Sequence, residues 1–126
     1  MAFSSDIITA ISAMQNDPRT YWSTIKPSLR YVASAFAALG GGSTAVGTAV
    51  SAVVNGVGNE QIVNWSDLKP ILVTINDRLI ALNETVLGAA IEARLQAIPN
   101  DNNQVFNDQI RNILADISEA LGNLGQ

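Results

Sequence analysis

The chain has no cysteine and no histidine. Without thiols it can form neither a disulfide nor a thiolate metal site. Without imidazole it lacks the usual general base and the commonest metal ligand. Charge is scarce as well. Asp, Glu, Lys and Arg make up 14% of the 126 residues, where about 25% is typical. A chain of this size so poor in charge either buries surface against copies of itself or contacts something apolar. The net charge is −4 and the basic residues are not clustered, which argues against nucleic acid as the main partner. The N-terminus lacks a basic region, and Asp6 interrupts it early. No signal peptide is expected, and a virion or cytoplasmic assembly is favoured.

Motifs that carry chemistry are weak throughout. Gly40-Gly41-Gly42-Ser43-Thr44 lacks the lysine of a phosphate-binding loop. Asp101-Asn102-Asn103 begins like a calcium loop but lacks the central glycine and the closing glutamate. The acids recur at helical intervals, as on a solvated face. Carboxylates alone can run glycoside hydrolysis, but no convergent cluster is visible. The expectation is a protein that is not an enzyme, with no catalytic, cofactor-binding or metal-binding residues and no small-molecule substrate. Asp108 and Arg111, three apart, are expected to pair on one helix face.

What the chain does have is an uncharged stretch from Tyr31 to Asn59, closed by Arg30 and Glu60. Its length invites comparison with a membrane span. Three glycines near its middle, each costing about 1 kcal/mol in a helix interior, instead predict two shorter helices. One ends at Leu39 and the other starts near Ser43. Small residues recur every four positions (Ala33, Ala37, Gly41; Ala45, Ala49; Gly47, Ser51), a spacing that lets helix backbones approach closely.

Helical periodicity covers the rest. Ile7, Ile8, Ile11 and Met14 share a face, with a break at Asn16–Asp17. From Ser66 to Ile98 the apolar residues Leu68, Leu72, Ile75, Leu79, Leu82 and Val86 step by three and four, which predicts one long helix. Phe106, Ile110, Ile113, Ile117 and Leu121 form the seam of a last helix from about Asn103. Further breaks fall near Gly40–Gly42, Val57–Asn64 and Pro99–Asn103.

An internal repeat links two of these segments. Trp22-Ser23-Thr24-Ile25-Lys26-Pro27-Ser28-Leu29 matches Trp65-Ser66-Asp67-Leu68-Lys69-Pro70-Ile71-Leu72 at five of eight positions. A fainter third copy, one residue shorter, follows as Ile110-Arg111-Asn112-Ile113-Leu114. The repeated motif is expected to be a helix start, with the serine as cap and the proline in the first turn.

The fold expected is an all-α, single-domain helical bundle of about five helices spanning 1–126. It is read as a duplicated helical hairpin, with repeats at 21–63 and 64–106. The expected function is that of a structural, self-assembling subunit of a shell or filament. Its partner is the chain itself, and its interface candidates are Val46, Val50, Val53, Ile91 and Leu95. The alternative is a membrane-interacting or lytic protein that inserts the 31–59 hairpin, anchored by Trp22, Arg30 and Tyr31.

Overall fold

The computed structural model describes residues 3–15, 19–58, 61–98 and 104–126. Among these the chain is all-helical, without a strand. The helices are α1 (Phe3–Ser12), α2 (Trp22–Leu39), α3 (Ser43–Gly56), α4 (Trp65–Ala81), α5 (Thr85–Ala97) and α6 (Asn107–Asn123). The breaks expected at Asn16–Asp17 and Pro99–Asn103 fall largely or wholly outside the described residues. The other two expected breaks appear as the α2–α3 turn and the α3–α4 linker. Gly40 and Gly41 turn the chain between α2 and α3 at positive φ, 72° and 55°, where a Cβ would be strained.

The single helix expected from Ser66 to Ile98 is instead two. Asn83 adopts φ 74°, and the Glu84 N–H donates to the Leu79 carbonyl at 3.0 Å. This left-handed stop closes α4, and α5 restarts at Thr85. The apolar spacing runs through the break without interruption, so periodicity alone conceals it.

Each helix packs on its chain neighbours, and α1 closes the series by packing on α6 as well as α2. The closure is hydrogen-bonded. The Ser4 N–H donates to the Gln126 carbonyl at 2.9 Å, and the Ser118 hydroxyl donates to the Ser4 carbonyl at 2.7 Å. The buried apolar side chains form one contiguous core with contributions from every helix.

Three extended segments meet where α2, α4 and α6 begin. Isolated antiparallel bridges join Arg19 to Phe106, Tyr21 to Ile62 and Asn64 to Gln104. Thr20, Val63 and Val105 are fully buried there, so their backbone groups need protein partners. The Thr20 N–H donates to the Val105 carbonyl at 3.1 Å, and the Val63 N–H to the Thr20 carbonyl at 2.8 Å.

This junction explains the repeated motif differently from the sequence expectation. The serines do not cap. The caps are Tyr21 and Asn64, extended and without a side-chain capping bond. The Trp22 N–H, one of the donors a helix start leaves free, is taken by the Gln61 carbonyl at 3.1 Å. Trp22 and Trp65 each open a helix and are fully buried beside the junction. Pro27 and Pro70 lie inside their helices, a turn later than expected. The shared cation has a purpose too. Lys26 Nζ donates to the carbonyl of Val57, just past α3, at 2.6 Å. Arg111, its counterpart in the fainter third copy, donates to the carbonyl of Met14, just past α1, at 2.7 Å. A cation at a helix C-terminus satisfies free carbonyls and suits the helix dipole. Arg111 is therefore not the partner of Asp108, whose carboxylate accepts from the Gln109 N–H.

Candidate self-association face

The uncharged stretch folds into the hairpin of α2 and α3, and its small residues set the spacing of the two helices. A Cβ placed on Gly47 would lie 2.8 Å from the Ala33 carbonyl oxygen and 3.4 Å from the Ala37 nitrogen. Only glycine permits this approach. The result is a shallow groove of about 290 Å³ lined by Ala33, Ser34, Ala37, Thr44, Gly47, Thr48 and Ser51. Thr44, Ala45, Thr48, Ala52 and Asn55 are exposed along α3, and Ser34, Ala37 and Ala38 along α2. The Thr48 hydroxyl donates to the Thr44 carbonyl of its own helix at 3.1 Å, so its donor is already used. The face carries no charge. At its edge, Arg30 is exposed, one helical turn before Ser34. Among the described residues it has no hydrogen-bond or ion-pair partner.

The start of α3 is fixed to α4. Arg78 Nε donates to the Ser43 hydroxyl at 2.8 Å. This bond holds the buried Ser43 and orients the hairpin against the rest of the chain.

The interface candidates divide on burial. Val50, Ile91 and Leu95 lie in the chain's own core. Their selection as surface contacts is corrected: α3 and α5 each have helical neighbours on both sides and turn their largest apolar residues inward. Val46 and Val53 are half-buried against the core. The exposed large apolar residues are Ile8, Tyr21, Val73, Ile80, Val86 and Phe106, with Val86 far ahead at 83% exposed. Spacing alone places Val86 in the core stripe; the turn at Asn83 displaces it.

The membrane-anchor candidates divide in the same way. Trp22 is buried in the core, so it cannot sit at a lipid surface in this fold. Tyr31 packs half-buried against the core, and Arg30 is exposed. Among the described residues, no helix is long and apolar enough to cross a membrane.

Charged groups elsewhere are engaged in structure or spread out. Arg94 and Asp116 form an ion pair between α5 and α6 at 2.7 Å. Asn76, buried in α4, donates from Nδ2 to the Gly88 carbonyl at 3.0 Å and ties α4 to α5. Among the described residues, no three acidic side chains converge as a metal site would require. A hollow of about 710 Å³ between α1 and α6 is an open groove whose one titratable lining residue is Glu119. Asp101 lies outside the described residues.

No protein-family model matches the chain, and no curated protein or solved structure shows significant similarity to it.

Proposed function

We propose that this protein is a structural subunit that assembles with copies of itself through the α2–α3 face. The observation that carries the reading is the exposed, uncharged surface of small residues on that hairpin. It holds no charge, and its central hydroxyl, Thr48, already donates within its own helix, which lowers the cost of dehydrating it. Desolvation of polar and charged groups is what usually limits association. Small side chains also lose little rotamer freedom on contact, and they let a partner helix come close. Assembly multiplies modest contacts over many copies, so a shallow groove suffices.

The same reading treats the chain as a repeated helical hairpin. The pairs are α2 with α3, α4 with α5, and α6 with α1, the last pair drawn from the two ends of the chain. The equivalent cation contacts of Lys26 and Arg111, the paired tryptophans and the three-segment junction support it. Such a closed unit is a rigid building block.

Thr48→Glu tests the reading. Thr48 is exposed, so the substitution leaves the fold intact, but it places a charge in the centre of the face. The expected outcome is a far-ultraviolet circular dichroism spectrum like that of the wild type. The mass by light scattering falls to the 13.3 kDa of a single chain. A variant that assembles as the wild type does would remove the α2–α3 face from the account.

A further inference from the structure

We propose that the copies associate head to tail, the Val86 corner of one seating in the α2–α3 groove of the next; this rests on the self-assembly reading above. Val86 is the second residue of α5 and the most exposed large apolar side chain among the described residues, at 83%. The left-handed turn at Asn83 carries it out of the apolar stripe to a corner of the molecule, where the chain itself gives it no cover. Glu84 and Glu119 line the same hollow as Val86. Asn123 Nδ2 donates to Glu84 Oε1 at 2.9 Å and holds that carboxylate beside the corner. The corner is thus an apolar knob flanked by negative charge.

The groove is its counterpart. It is an open groove of about 290 Å³ between Ala33, Ser34 and Ala37 on one side and Gly47 and Thr48 on the other, wide enough to take a valine side chain. Its border carries Arg30, exposed and without a partner among the described residues. Seating the knob takes Val86 out of water and brings Arg30 toward Glu84 and Glu119. Complementary charge of this kind selects partner and register. A groove-to-groove or knob-to-knob pairing would leave Arg30, or the acids, without an opposite charge across the contact. A knob and a groove on different parts of one molecule make a heterologous contact, which propagates into a filament or closes into a ring.

Mixing two variants tests this. Val86→Asp destroys the knob and keeps the groove. Thr48→Glu destroys the groove and keeps the knob. Both positions are exposed, and circular dichroism checks that each variant folds. Each alone is expected to have the mass of one 13.3 kDa chain. Mixed in equal amounts, they are expected to form a capped dimer of two such chains and nothing larger. Adding Arg30→Glu to the Val86→Asp chain is expected to weaken that dimer at least tenfold at low salt. If the wild type assembles but Val86→Asp assembles equally, or if the mixture stays monomeric, the head-to-tail contact is wrong while self-assembly stands. A wild type that remains a single chain overturns both.

Discussion

Trp65→Ala is expected to lower the stability of the chain by about 3–5 kcal/mol, the usual cost of removing a buried tryptophan. Domains have about 5–15 kcal/mol in total, so the loss is a large share. Trp65 opens α4 and is fully buried beside the three-segment junction. Its removal empties space against which α2, α4 and α6 all begin. Trp65→Phe should behave differently. The indole Nε1 is buried with no hydrogen-bond partner among the described residues, and an unsatisfied buried donor costs about 1–3 kcal/mol. Phenylalanine keeps most of the apolar contact and removes that donor, so the two effects offset one another. Urea denaturation of both variants distinguishes the cases. Equal losses for alanine and phenylalanine would show that the indole nitrogen is satisfied and that the junction is packed otherwise than described.

Gly47→Ala is the second large effect, and its sign is the informative part. Glycine to alanine inside a helix ordinarily stabilises by about 1 kcal/mol. Here the new methyl would meet the Ala33 carbonyl oxygen at 2.8 Å, and backbone cannot swing aside as a flexible side chain can. The α2–α3 pair must separate, and such overpacking costs about 1–3 kcal/mol. The expected result is a net loss of stability together with a loss of assembly, since the groove geometry depends on this approach. Gly56→Ala is the control. It sits at the end of the same helix with nothing within 4 Å of its Cβ position, and it should be neutral or stabilising. A melting temperature raised equally by both substitutions would contradict the close packing of α2 on α3.

Local signals carried the α2–α3 hairpin into view from sequence. Three glycines interrupt an uncharged run, and the helices stop at Leu39 and restart at Ser43 as glycine chemistry requires. The tryptophan–lysine–proline motif was also visible, but not its meaning. Lys26 reaches a carbonyl 31 residues away and Arg111 one 97 residues away, and no local rule reports such partners. The α4–α5 break was hidden because apolar spacing continues across Asn83, a residue whose left-handed conformation is common enough to count as a weak signal.

The candidate face was legible only in part. Freedom from charge singled out the 31–59 stretch, and that stretch forms the uncharged part of the α2–α3 hairpin. Choosing contacts by size and apolarity failed for Val50, Ile91 and Leu95, because the core claims the largest apolar residues first. What remains exposed on the hairpin is small residues, and at the α5 corner the displaced Val86. The association of α1 with α6 joins the two ends of the chain, and periodicity holds no information about it.

The central claim is that the folded chain is a subunit and not a lone molecule. Multi-angle light scattering of the wild type, over a series of micromolar concentrations at physiological salt, tests it most directly. The account predicts species heavier than one 13.3 kDa chain, growing with concentration in steps of whole chains. A mass that stays at 13.3 kDa across the series would contradict it.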